Sequence, residues 1–426
     1  MSGVAFATRD ELVAQLVAQC WPHEALAGDV SGARANAERT VERLESRGVS
    51  FTADARGTGR IDLYAANLAL KARKGAPCDP AWPAWQETIR RNLRALEQGP
   101  HHVTFTLRRE WHLLPQDSPR SLVLRLPLPL EARERPADLS VRLLQSAGAL
   151  LSQTRADGRV ELRLAPEAAR APVIAEVTFS CVAGDTAQAL DDAAPLASVN
   201  EWIEEPDRLW LAEKEGRIAR STRLDAVAAE LTRECEAVAH TRGSSATTID
   251  FARAAWARIF ARFVFGDLHH AALGSAAPLE VLWDAPVVDC TLGASLLIAL
   301  CRARGIPARL VSGYLLTPGL PSRHSWAEVL IAPGRWAPMD VNCWDPAGGD
   351  LLDPYGATFF GRVDARLTCE IAPRQFTGWG SARAPAAWVK LLEMQEGGLT
   401  QTIRDAHTHA VATREWAHVT LRGPQR

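Results

Sequence analysis

Cysteine, methionine and tyrosine are scarce here and neither sign of charge dominates: among 426 residues there are 8 Cys, 3 Met and 3 Tyr, and 48 Lys plus Arg stand against 50 Asp plus Glu. A chain of this length excludes a small disulfide-stapled scaffold, and so few cysteines, with no CxxC pair, argue against a structural zinc knuckle and favour a reducing cytoplasm. A net charge of −2 gives no global electrostatic reason to expect nucleic acid or an anionic membrane surface as partner. No apolar run approaches a membrane span, and the opening MSGVAFATRDELVAQL lacks the basic head, apolar run and cleavage site of a signal peptide, so a soluble cytoplasmic protein is expected. A P-loop, a dinucleotide fingerprint and an HExxH pair are all missing, which leaves nucleotide and zinc-protease chemistry without support.

What is present divides by period. The first hundred residues read as helices: ELVAQLVAQC after a cap at Asp10, ARANAERTVERLESRG before Gly48, and WQETIRRNLRALEQG ending at Gly99-Pro100. From His101 the period falls to two. VTFTLRREWHLL, SLVLRLPLPL, LSVRLLQSAGALL, RVELRLA and VIAEVTFSCVA predict an antiparallel β-domain, a sandwich or small barrel, over 101–200. Helical patterning returns from about residue 205, and a mixed α+β core is expected over 201–380. A C-terminal helical and strand extension is expected over 381–426, with QTIRDAHTHAVATREW read as helix. Tryptophan is abundant, and seven of the 14 Trp lie between Trp256 and Trp388.

The chemistry concentrates around VVDCTLGASLLIALCRARGIPARLVSGYLL. Leu292, Leu296, Ala299, Leu300 and Ala303 form one helical stripe, with Asp289 as N-cap and Gly305-Pro307 as stop. Arg302 and Arg304 fall in the last turn, where they complement the helix dipole. Cys290 therefore sits in the first turn of a buried helix, where unpaired N–H groups and the positive end of the dipole stabilise a thiolate and can donate to an oxyanion. A cysteine at a helix start is, on position alone, more often a small buried residue. Two downstream strands change the balance: one opens with His324 in HSWAEVLI, and the next carries Asp340 in RWAPMDVN. Nucleophile, base and orienting acid in that order are what thiol acyl transfer needs.

These blocks resemble the transglutaminase-like superfamily of papain-like cysteine enzymes, in its bacterial type with an N-terminal β-domain. The resemblance rests on Asp289-Cys290-Thr291, Arg302 through Arg309, Gly313-Tyr314, His324-Ser325-Trp326-Ala327-Glu328-Val329, and Trp336, Pro338 and Asp340. It implies helices packed on an antiparallel sheet, with Cys290 as nucleophile, His324 as base and general acid, and Asp340 orienting the histidine. Val288 stands where bacterial members often carry Gly, and Val341-Asn342-Cys343-Trp344 replaces the common Pro-Thr continuation.

Strand geometry supplies a separate requirement. His324 and Asp340 share a face if a three-residue loop at Ala332–Gly334, or a five-residue loop from Ile331 to Arg335, sets His324 opposite Asn342 with Asp340 diagonal to it. An even loop without a bulge puts Asp340 on the other face. Asn342 is the alternative orienting residue.

Trp326 and Glu328 share the face of His324; Glu328 reads as a structural carboxylate, and Trp326 as either a cleft wall or core. Trp283 reads as packing, with an indole N–H near the nucleophile as the functional alternative. Cys301 and Cys343 read as inert thiols, Cys343 lying near His324 in the expected register. His269-His270 and His407/His409 do not present a shared face, so no metal site is expected, and no cofactor is required.

An acyl-enzyme at Cys290 resolved by water makes an amidase or peptidase; resolved by an amine it makes an amide-forming acyltransferase, for which a carrier-bound thioester is a possible donor. A catalytically silent binding or scaffold module is the alternative from another class. The expected partner is thus a peptide, a protein or a carrier-bound acyl group.

Overall fold

The computed structural model describes residues 6–18, 30–49, 51–53, 57, 59–70, 79, 83, 87, 101–113, 122–156, 158–183, 190–215, 217–266, 278–316, 322–341, 359–361, 366–371, 395–396, 399–400, 402–404 and 410–422. Near the N-terminus, α1 (Arg9–Ala18) and α2 (Val30–Ser46) pack together, joined by α3 (Leu63–Leu70). Thr8, not Asp10, caps α1: its Oγ1 accepts the Glu11 N–H at 3.2 Å while Glu11 Oε2 accepts the Thr8 N–H at 2.7 Å. That reciprocal pairing satisfies two backbone donors and moves the cap ahead of Asp10. A small sheet of β1 (Phe6–Ala7), β2 (Phe51–Ala53) and β3 (Gly59–Asp62), in the order β1-β3-β2, is an element that the helical pattern of this region did not predict. The expected helix at 85–99 lies outside the described residues.

The period-two segments form two sheets. One holds β4 (His101–Leu113), β6 (Ala137–Gln145) and β9 (Val173–Ala183); the other holds β5 (Leu122–Pro127), β7 (Leu150–Ala156) and β8 (Arg159–Leu164). Val103, Phe105 and Leu107 from the first meet Leu124, Leu126 and Leu162 from the second in one apolar core. Strand β9 alternates buried and half-buried residues along nearly its whole length, the signature that a half-buried strand writes into sequence.

Beyond these lie α4 (Thr222–Thr241), α5 (Thr248–Arg262), α6 (Pro278–Asp284) and α7 (Cys290–Ala303). They pack against an antiparallel sheet of β10 (Ala308–Leu315), β11 (Ser322–Ala332), β12 (Arg335–Met339) and β13 (Arg366–Ile371), in the order β12-β11-β10-β13. The helices share an apolar cluster with Leu12, Val41 and Leu63, so the N-terminal helices bury their faces in the same core.

The sheet also joins the sandwich. Tyr314, Leu367 and Cys369 belong to the sandwich core, and the Phe105 and Tyr314 rings lie 4.9 Å apart. The exposed edge of β13 is covered by the turn after β5: the Leu130 N–H donates to Thr368 O at 2.8 Å, and Glu134 accepts the Thr368 N–H at 3.1 Å.

Of the segment read as helix near the C-terminus, the described residues are instead extended. Thr402–Arg404 (β14) pairs with Ala410–Arg422 (β15), and β15 pairs with β4 from Val411–Leu113 to Arg422–His102, giving a five-stranded sheet in the order β14-β15-β4-β9-β6. Here tertiary pairing overrides local pattern: TREWAHVTLR is compatible with either period, and the long β4 ladder selects the extended form.

Candidate active site

Helix α7 is fixed at both ends. Asp289 caps it, accepting the Leu292 N–H at 2.8 Å. At the other end Gly305, at φ +86°, donates to Arg302 O and Ile306 to Cys301 O, the paired bonds of a Schellman stop. Arg302 lies in the last turn, as expected, and does more than complement the dipole. It is buried, donating from Nε to Ala308 O at 2.9 Å, from Nη1 to Ala212 O at 3.1 Å and from Nη2 to Glu215 Oε2 at 2.7 Å. The helix is thereby bolted to the strand that succeeds it. Val288, where bacterial members often carry Gly, is fully buried in the apolar core beside Gly293.

Cys290 is the first residue of this helix and is half-buried. The residue after it meets the residue after His324: Thr291 Oγ1 donates to Ser325 Oγ at 3.4 Å, and Ser325 Oγ is 2.9 Å from Ser312 Oγ on β10. A hydroxyl chain therefore ties the start of α7 to the strands behind the histidine.

The hairpin from β11 to β12 turns through Pro333-Gly334, with Gly334 at φ +65°. Ala332 pairs with Arg335 but Leu330 pairs with Trp336, so Ile331 is the extra residue of a β-bulge. The bulge restores the odd register: Glu328 lies opposite Pro338 and Ala327 opposite Met339, which leaves Asp340 diagonal to His324 on the same face. The two side chains meet, with His324 Nε2 and Asp340 Oδ2 2.7 Å apart and both buried. The Asp340 N–H donates to Phe359 O at 2.9 Å, which fixes the backbone just past the strand end.

A third residue, which sequence reasoning missed, completes the cluster. Arg366, opening β13, donates through Nη2 to Asp340 Oδ2, the oxygen that also faces His324. Its signal was a lone arginine heading RLTCEI, a six-residue strand that is buried throughout. Gly313 stands between the two strands, opposite His324 on one side and Thr368 on the other. A Cβ there would lie 1.7 Å from Leu367 O, because the ladder slips between Ser312 and Gly313 and brings the β13 backbone inward.

The remaining candidates separate cleanly. Glu328 is gripped by two arginines: Arg133 Nη2 donates to its oxygens at 2.8 and 2.9 Å and Arg309 Nε at 2.8 Å. Arg309 in turn lies 3.9 Å over the Trp336 ring. Glu328 thus ties the turn after β5 to the sheet. Trp326 is buried with Val311, Trp210 and Ile371, and its ring lies 6.4 Å from that of His324 at an interplanar angle of 22°. Trp283 is core, edge-on to Phe263 at 5.4 Å with Arg262 over its face. Burial pushes the Cys301 thiol up to about 12. Asn342, Cys343, His269, His270, His407 and His409 lie outside the described residues.

Residues 236–341 match the family described as the transglutaminase-like superfamily. This segment is a transglutaminase-like core. Its span takes in Cys290, His324 and Asp340 and stops short of Arg366. Among solved structures, a Cytophaga hutchinsonii protein named as a candidate cysteine protease is similar at 14% identity and a TM-score of 0.45, over 77% of this chain and 92% of its own. The periplasmic domain of TgpA from Pseudomonas aeruginosa is similar at 18% identity and a TM-score of 0.30, over 62% and 95%. No curated protein matches the chain. Among the described residues, no helix is long and apolar enough to cross a membrane.

Proposed function

We propose that the transglutaminase-like core performs cysteine-dependent acyl transfer, with Cys290 as nucleophile, His324 as base and general acid, and Asp340 as the residue that orients the imidazole. The buried contact between His324 Nε2 and Asp340 Oδ2 at 2.7 Å carries this reading. A carboxylate at Nε2 holds the proton on that nitrogen and leaves Nδ1 as the one that exchanges a proton with the thiol. Attack of the Cys290 thiolate on an acyl carbon gives a tetrahedral oxyanion at the start of α7, stabilised by the Cys290 backbone N–H and the helix dipole, and collapse gives a thioester acyl-enzyme. His324 protonates the leaving group and then activates the acceptor. Water as acceptor makes an amidase or peptidase, an amine an amide-forming transferase. The substrate class is an amide or thioester acyl group on a peptide, a protein or a carrier.

Incubation with peptide and acyl-thioester pools, then intact-mass analysis, tests this. A mass increase confined to Cys290 and absent from Cys290→Ala is expected. If no pool yields an adduct while the thiol alkylates readily, the chain is a scaffold and not an enzyme.

A further inference from the structure

We propose that Arg366 is a positioning residue of the site, acting through Asp340 to keep it ionised whenever His324 is neutral; this rests on the acyl-transfer reading above. Asp340 is fully buried, and so is the guanidinium beside it. A carboxylate without water needs a compensating positive charge at each stage of a reaction cycle. The imidazolium supplies one only while it carries the thiol's proton. With Cys290 as thiol and His324 as imidazole, a histidine N–H brings no such charge, and a buried carboxylate that lacks one takes up a proton instead. A protonated Asp340 offers an O–H where Nε2–H needs an acceptor, which favours the tautomer that blocks proton transfer from the thiol.

Arg366 removes that failure because it donates to the same Oδ2 that faces the ring. Counting Cys290, His324, Asp340 and Arg366 together, the set is neutral both as thiol with imidazole and as thiolate with imidazolium. The proton moves from Sγ to Nδ1 and back while Nε2–H stays on Asp340, and no net charge appears in the buried cluster. Other charged or titratable groups nearby come from each packed element. Among the described residues they include Asp289 at the start of α7, Glu328 on β11 with its partners Arg133 and Arg309, Glu134 bound to Thr368 two places along β13, and the buried Glu370 on β13 itself.

The test is 15N NMR of histidine-labelled full-length protein, with the His324 resonance assigned by its loss in His324→Gln. In the wild type the neutral ring is expected as the Nε2–H tautomer; the Nδ1–H tautomer overturns the proposal without any variant. In Arg366→Met and Arg366→Gln the midpoint of the His324 titration is expected to rise by about one pH unit, because loss of a buried positive charge favours the imidazolium. In Arg366→Lys it is expected within a few tenths of wild type. An unmoved midpoint in both neutral variants, or an equal shift in Arg366→Lys, also overturns it. The alkylation rate of Cys290 is measured alongside: a thiol as slow as the buried cysteines removes the acyl-transfer reading, while a fast thiol with an unmoved histidine midpoint removes only the role of Arg366.

Discussion

Thr291 Oγ1 donates to Ser325 Oγ, so the neighbour of Cys290 on the helix touches the neighbour of His324 on the strand. Two residues that chain order separates by most of a helix, a strand and a loop are thereby indexed to one another.

Ser325→Ala is expected to leave the fold intact, since it removes one hydroxyl from a satisfied chain, and to slow iodoacetamide alkylation of Cys290 several-fold by loosening the helix start against the strand. Circular dichroism and a peptide-level alkylation time course check both halves, and an unchanged rate would rule out the indexing role.

Alkylation of wild-type protein at neutral pH is expected to favour Cys290 over Cys181, Cys235 and Cys301 by on the order of tenfold or more. Burial pushes those three thiols up to about 12, 11 and 12, so each holds its proton while Cys290 is half-buried at a helix start. Peptide mapping after brief exposure to the reagent gives the order directly.

Asp289 does two things that substitution separates. Asp289→Asn retains the cap on Leu292 and should cost under about 0.5 kcal/mol, whereas Asp289→Ala should cost about 1 kcal/mol. Both remove a negative charge next to the thiol, so both should shift alkylation of Cys290 to lower pH. Urea denaturation with a pH series of rates distinguishes cap from charge.

Legibility in the sequence varies with the physics that decides each feature. Helix α7, its cap and its stop could be read because each depends on residues within a turn: Asp289, the apolar stripe, Gly305 and Pro307. The face shared by His324 and Asp340 was also deducible, as a demand for an odd loop or a bulge, although sequence did not say that Ile331 would be the bulged residue. Arg366 and Arg133 were illegible for the opposite reason. Their partners lie far away in the chain, and an arginine outside a motif carries no local mark of the carboxylate it will meet. The C-terminal strand failed likewise, because its conformation is decided by β4 and not by its own pattern.

Glu134 should make stability depend on pH. Burial, opposed by the Thr368 N–H and by Arg133, pushes its carboxyl from 4.5 up to about 7. The folded state binds this proton more tightly than the unfolded chain, so its contribution is full below about 4.5 and is lost as pH rises to about 7. The loss is about 3 kcal/mol, and Glu370, also raised by burial, acts in the same direction. Glu134→Gln is expected to flatten the stability profile between pH 5 and 7 in urea titrations; an equally steep profile would refute the assignment.

Strand β15 hydrogen-bonds along β4, so a ladder near the end of the chain closes on one that begins at His101. The transglutaminase-like core lies between these two strands in sequence. During synthesis the ribosome releases β4 long before its partner exists, so its edge must wait, unpaired, until the intervening core has emerged. Completion of this sheet therefore waits until the residues beyond the core have been made, and truncation before β15 leaves the transglutaminase-like core attached to an open, aggregation-prone sheet.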